Sequence, residues 1–237
     1  MPQTVQSTLE ILKNCLISIQ TWMSANMLKL NPDKTEFLIL GNSSNRSKLS
    51  NYFPIEFLGS LVSPTDKVRN LGVLFDADFS LSNQVSSIVS SCYYHLRDLS
   101  RIRKHLSKSV AITMANALIS SRLDGVNSIL LGLPDKELRR LQTIQNILCR
   151  IVCRLPRRSH VTSSLKKLHW LPVRFRILFK LNTITYKALN TGYPSYLKRF
   201  ITPYTCNVNT RRSDPSKKVL TALPFKARIS SSRKHFN

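Results

Sequence analysis

Acidic side chains are few in this sequence, 12 Asp and Glu against 36 Lys and Arg, and they are scarcest where the cations crowd. From residue 101 to the end, only Asp124, Asp135, Glu137 and Asp214 stand against 28 Lys and Arg. With so few carboxylates, no nucleophile–base–acid set can be assembled. Glycine is also rare, at 6 residues, and forms no Gly-rich phosphate loop; there is no HExxH motif either. The densest apolar cluster, 129–133, is far shorter than the roughly 18 residues needed to cross a bilayer. The N-terminus lacks the charged, apolar and small-residue succession of a secretory signal. These two absences set the expectation of an intracellular protein, nuclear or cytoplasmic. The five cysteines (Cys15, Cys92, Cys149, Cys153 and Cys206) are odd in number and scattered, which suits free thiols in a reducing compartment.

What is present argues for a folded chain. An apolar content of 42% with 11 Pro and 6 Gly is that of a globular protein, and 237 residues allow one large or two small domains. Up to Asp98 eight basic residues balance eight acidic ones, so the net charge of +24 lies entirely in the remainder. Self-repulsion on that scale destabilises a compact state unless a polyanion is near. Nucleic acid is the foremost candidate, because neutralising phosphates releases condensed counterions. A solvated basic surface and an anionic membrane are the other readings of the charge.

Residues 5–28 carry Leu9, Leu12, Leu16, Ile19, Met23 and Met27 at spacings of three and four, which predicts an amphipathic helix ended by Asn31-Pro32-Asp33. Residues 35–40 read as a strand and 41–51 as a polar loop. Segments 55–58 and 68–75 read as two strands forming one hairpin around Pro64-Thr65-Asp66. Beyond residue 80 the periodicity is helical: 81–105, 107–121, 122–131, a long helix from Asp135, 161–168, and 173–189 capped by Gly192. The long helix has Leu138, Leu141, Ile144, Leu148, Ile151 or Val152, and Leu155 as its buried stripe. The segment after Pro203 reads as a basic, flexible tail.

The cations of the rear part fall in clusters. Arg139, Arg140, Arg150, Arg154, Arg157 and Arg158 lie on and just beyond the Asp135 helix, off its apolar stripe. Arg176, Lys180 and Lys187 are four and seven residues apart and are expected on one exposed face of the 173–189 helix. Arg101, Arg103 and Lys104 end the 81–105 helix. Arginine's planar fork suits phosphate, although cations at helix C-termini also complement the macrodipole. Cys149 and Cys153, followed by His160 and His169, invite a zinc reading, but the spacing matches no known ligand set and cysteine beside a buried stripe behaves as a small apolar residue. No metal is therefore expected. Asp76 with Asp78 could bind Mg²⁺, although carboxylates of a turn before a helix account for them as well. Trp22 and Trp170 could stack on bases, but both sit beside apolar neighbours and read as core.

The stretch 22–37, WMSANMLKLNPDKTEF, resembles the palm segment that follows the catalytic motif in reverse transcriptases of non-LTR retrotransposons, the LINE elements of the chicken-repeat-one, L2 and Jockey type. VRNLGVLF (68–75) resembles that family's primer-grip hairpin. Further blocks follow in order: YYHLRDLSRIR (93–103), SSRLDGVNSILLGLP (120–134), LQTIQN (141–146), LHWLPVRFRI (168–177) and YKALNTGYPSYL (186–197).

The resemblance implies roles for particular residues. Lys34 matches the lysine of the fourth palm motif, a general acid toward the pyrophosphate leaving group; a water-facing loop lysine is the other reading. Arg69, Leu71 and Gly72 match the hairpin that holds the primer end. The family's Tyr/Phe-Ala-Asp-Asp turn is expected just before Thr4 and is not in these residues, nor is its earlier aspartate motif. Two-metal nucleotidyl transfer needs those carboxylates, so Mg²⁺ is expected only for an intact parent enzyme. LTALPFKARISSSRKHF (220–236) resembles the start of the family's C-terminal block without its Trp-Asn-x-Leu-Pro ending. Where the family has Leu-Asp-Tyr-Cys-Asn, residues 123–127 read Leu-Asp-Gly-Val-Asn.

The expectation is an α+β chain. An incomplete palm with a few antiparallel strands and a helix (1–79) would precede an all-helical thumb and connection region (80–203) and a basic tail (204–237). It would be a fragment of an RNA-directed DNA polymerase, not an enzyme on its own, that binds RNA, DNA or an RNA–DNA hybrid without sequence preference and does not polymerise. The alternative is a host nucleic-acid-binding or protein-interaction module without enzymatic activity.

Overall fold

The computed structural model describes residues 2–49, 52–57, 59–203 and 220–222. Among the described residues helices dominate, and the strands are short and gathered in four two-stranded sheets, so the chain is of mixed α+β class. It divides into two compact units, 1–123 with 132–161, and 124–131 with 162 onward.

In the first unit, α1 (Pro2–Ala25) keeps Leu9, Leu12, Leu16 and Met23 half-buried, but none of its described side chains is buried. Ile19 is exposed, and Met27 has left the stripe because the helix stops two residues before it. Trp22 is 61% exposed, against the expectation of a core residue. One position from Met23, it stands about 100° round the helix from the apolar stripe. The 41–51 segment is not all loop: α2 (Ser43–Leu49) forms there, with Asn42 Oδ1 accepting from Asn45 N–H at 2.9 Å as its N-cap.

The strands are β1 (Phe37–Leu38), β2 (Ile55–Phe57), β3 (Ser60–Val62), β4 (Pro64–Thr65), β5 (Lys67–Asn70) and β6 (Val73–Asp76). β1 pairs in parallel with β4, while β2–β3 and β5–β6 are antiparallel hairpins. The single hairpin expected from 55–75 is therefore two, because 55–57 pairs with the adjacent Ser60–Val62 and 68–75 turns within itself. At 71–72 the turn has Leu71 at φ 48° and Gly72 at φ 83°, the paired positive φ values of a type I′ connection. Gly72 is thus a turn glycine. A Cβ there would meet nothing within 4 Å; the positive φ is what requires glycine. Leu71 is 94% exposed and gains nothing from burial to offset its left-handed backbone. Leu71→Asn is expected to raise stability by about 1 kcal/mol, read as a higher thermal midpoint, since Asn tolerates this region and Asn-Gly is the preferred pair.

Helix α3 (Ser82–Ile102) follows β6 and is tied to it by Gln84 Oε1, which accepts Leu74 N–H at 2.9 Å. The compositional change near residue 80 is therefore not a packing boundary. Asp76 is buried beneath this junction. Burial alone would raise its pKa, but the hydroxyl and N–H of Ser80 (2.8 and 2.6 Å), with Asn83 and the Leu81 N–H, hold the carboxyl below its usual value. Asp78 is exposed and pairs with Arg46 at 2.5 Å.

Ser107 caps α4 (Lys108–Ala115), accepting from Val110 N–H. A π-helical turn over Asn116–Ser120 carries the chain on into α5 (Ser121–Asp124). The separate helix expected over 122–131 is instead the end of this run plus a 3₁₀ turn at Asn127–Leu130, broken at Gly125-Val126, where Val126 has φ 54°. Pro134 opens α6 (Asp135–Cys153), its carbonyl accepting Glu137 N–H at 2.9 Å.

Helices α3 and α6 run parallel. Arg140 near the start of α6 reaches Ser86 near the start of α3, and Arg103 at the end of α3 reaches Val152 at the end of α6. Val85, Ile88, Cys92, Leu96 and Leu99 of α3 and Leu141, Ile144, Leu148 and Val152 of α6 are all buried; Val152 rather than Ile151 completes the stripe.

The second unit holds α7 (Thr162–Lys167), α8 (Val173–Thr191), α9 (Ser195–Phe200) and the pair β7 (Ile201–Pro203) with β8 (Leu220–Ala222). Pro172 opens α8, and Gly192 at φ 72° closes it. Leu130, Leu165, Trp170, Val173, Ile177 and Ala188 are the unit's buried apolar side chains among the described residues. The tail expected over 204–237 lies outside the described residues apart from β8.

Candidate nucleic-acid interface

Parallel packing of α3 and α6 puts two helix C-termini side by side, and the arginines divide there into two kinds. Arg103 was expected to face phosphate but is buried, at 8% exposure. Its Nε and Nη2 donate to the Val152 carbonyl at 3.2 and 2.7 Å, and its Nη1 donates to the Leu106 carbonyl at 2.8 Å. Its fork serves the free carbonyls of both helix ends, a demand that arises only once the helices are packed. Arg154 answers from the other side, its Nη2 donating to the carbonyls of Arg103 and Lys104, both at 3.2 Å. It also stands at φ 53° as the left-handed C-cap of α6, with Leu155 N–H bonding the Arg150 carbonyl at 2.9 Å.

Around this clamp lies an open cleft lined by Lys104, Arg150, Arg154 and Arg157 together with Ser100 and Ile147, and by no Asp or Glu. Arg150 Nε donates to the Ser159 carbonyl at 3.1 Å. Lys104 and Arg157 are exposed, as is Arg158 next in sequence. The helix dipoles account for part of this charge, but each end carries only about half a negative charge. Five cations, Arg103 included, exceed that by several units, so the cleft remains strongly positive.

The other expected cations are distributed differently. Arg101 is exposed beside Asp98 at 3.9 Å. Arg139 is exposed, and its Nε donates to the Asp135 carbonyl at 3.2 Å. Arg140 is held by Glu137 at 2.6 Å and Ser86 at 3.0 Å, so it braces the helix pair more than it faces solvent. In the second unit, Arg176, Lys180 and Lys187 do not share one exposed face. The Arg176 side chain is only 14% exposed, paired with Asp124 at 2.7 Å and donating to the Leu171 carbonyl at 2.8 Å. Lys180 and Lys187 are exposed. The i, i+4 spacing of Arg176 and Lys180 does not reveal that an acid 52 residues away takes one of them.

Lys34 is exposed in the 3₁₀ turn Pro32–Lys34, where Asn31 Oδ1 accepts Asp33 N–H at 3.0 Å. Arg69 is exposed on β5 opposite Leu74, with Leu71 and Gly72 at the hairpin tip. Cys92 and Cys149 are buried, and burial first of all pushes both thiols up to about 11, away from the thiolate a metal needs. Among the described residues no three His, Cys, Asp or Glu converge. No described helix is long and apolar enough to cross a membrane.

Two residues were missed from sequence. Arg122 Nε donates to Ser91 Oγ at 2.9 Å, joining α5 to α3. Asn127 is buried, with Nδ2 donating to Asp124 at 3.4 Å and Oδ1 without a partner. A lone Arg or Asn on a helix carries no sequence signal of a cross-helix role. Comparison of the chain with protein families, curated proteins and solved structures finds no match to any of them.

Proposed function

We propose that this chain binds RNA, DNA or an RNA–DNA hybrid through backbone phosphates, without reading sequence. The observation that carries the reading is the acid-free cleft at the joined C-termini of α3 and α6, where Lys104, Arg150 and Arg157 surround a clamp that the fold already uses. The resemblance to non-LTR reverse transcriptases gives the cleft a context, since there it would belong to the thumb that follows the palm on the nucleic acid. In that context Lys34 and the 69–72 hairpin would be elements of the parent polymerase, working with carboxylates and Mg²⁺ that these residues do not supply.

The charge-reversed pair Lys104→Glu with Arg157→Glu is expected to weaken duplex binding and to make the salt dependence shallower by roughly two units of slope. Both side chains are exposed, so the fold should be unchanged by circular dichroism. Unaltered affinity and slope would refute the cleft as the contact. With Mg²⁺, primed template and deoxynucleotides, the 237-residue chain is expected to show no extension; templated incorporation would overturn the non-catalytic reading.

A further inference from the structure

Helix α8 buries Val173, Ile177 and Ala188 on one side, yet on the opposite side Phe175, Phe179 and Tyr186 are 55%, 64% and 70% exposed. At 100° per residue these three rings fall within about 40° of one another, roughly 180° from the buried stripe. The helix rise spaces them about 6 Å and about 10 Å apart along the axis. Their face is aromatic rather than aliphatic, and Asn182 and Thr183 interrupt it, so it offers separate ring faces and not a continuous apolar core. Lys180 and Lys187 are exposed on the adjoining flank, about 120° and about 100° round the helix from the centre of the ring face. Phe179 and Lys180 also border a recess of about 300 Å³ together with His169 and the Asp124–Arg176 pair. From 162 to 203 there is no Asp or Glu, and Asp124 is already matched by Arg176, so the seven other cations of 162–203 have no unmatched acid among the described residues of this unit.

Solvent-exposed rings, with lysines on the adjoining flank of the helix and the nearby Asp124 already paired, match a ligand that is itself a chain of flat rings on an anionic backbone. We infer that the exposed face of α8 binds single-stranded nucleic acid, its unpaired bases stacking on Phe175, Phe179 and Tyr186 while Lys180 and Lys187 pair with the phosphates. This deepens the reading proposed above and rests on it: the cleft of the first unit holds backbone charge, whereas this face selects strands whose bases are free. A paired duplex presents no free ring faces to it.

The test uses the full chain, a dT oligomer of about 20 nucleotides and a duplex of the same length, by fluorescence anisotropy. Two triple variants are compared at Phe175, Phe179 and Tyr186, one with all three changed to Ala and one with all three changed to Leu. The Leu set keeps an apolar face without stacking rings. Both sets are expected to weaken oligomer binding at least tenfold, since one lost stack is worth roughly 5- to 150-fold. Duplex affinity and the salt slope should stay unchanged. Lys180→Glu with Lys187→Glu should instead lower the salt slope for the oligomer.

An oligomer affinity that survives the Leu set would overturn the inference. So would oligomer binding unaffected by either triple set while anionic phosphatidylserine vesicles or an acidic protein bind through these rings. Salt-dependent duplex binding alongside such a result would leave the cleft reading standing; loss of all nucleic-acid binding in the unmodified chain would remove both.

Discussion

Raising the salt from about 50 to about 200 mM is expected to weaken duplex binding by roughly 10³- to 10⁵-fold, if 6 to 10 phosphates are contacted. The magnitude follows from counterion release, in which each neutralised phosphate adds about 0.9 to the slope of log affinity against log salt. The chain has the cations for this, 28 Lys and Arg from residue 101 onward against four acids. Several of them are already committed inside the fold: Arg103 to carbonyls, Arg140 to Glu137, Arg176 to Asp124. The slope should therefore fall well below the number of cations, and the exposed set around Lys104 and Arg157 should account for part of it. A titration of the whole chain against a random-sequence duplex, at five or six salt concentrations, measures it directly. A flat dependence would mean that the charge is solvated surface, and phosphate binding would be excluded.

Replacing Arg103 by Ala is expected to cost about 3 kcal/mol of folding stability. Three hydrogen bonds from a charged donor are lost, and the Val152 and Leu106 carbonyls lose their partner at a buried helix junction. Arg103→Lys should recover less than half, because an ammonium cannot reproduce the fork that bridges two carbonyls. Arg139→Ala, on an exposed side chain, should change stability by less than about 0.5 kcal/mol. Urea unfolding of the three variants separates the cases. A loss below about 1 kcal/mol for Arg103→Ala would show that water serves these carbonyls equally well. The comparison matters for function too, since Arg103 and Arg157 look alike in sequence and are separated only by what they touch.

The periodic helices were legible because an apolar stripe at 3.6 residues per turn is a local signal. The helix α3, the α6 stripe from Leu141 to Val152, and the Gly192 cap of α8 all lie where the spacing placed them. The strands were less legible. Residues 68–75 read as one strand because Leu71-Gly72 lacks the Asn or Asp that marks a two-residue turn, and the turn is there nonetheless. In α2 a Ser- and Asn-rich segment became helical once Asn42 capped it, a choice between two local hydrogen-bonding options that composition does not settle. Trp22 failed for a different reason: an aromatic beside an apolar residue in sequence lies on another face of the helix.

By itself the sequence determined the charge division, the helical periods and the chemistry on offer, because these depend only on which residues are present and how they are spaced. Tertiary structure alone decided which cations remain for a partner. The parallel contact of α3 and α6 set two carbonyl-rich helix ends together and drew Arg103 and Arg154 into capping them, while Asp124, 52 residues away in sequence, captured Arg176. The physical reason is the same in each case. A buried carbonyl or a nearby carboxylate binds a guanidinium more strongly than water does, and only folding brings such groups within reach.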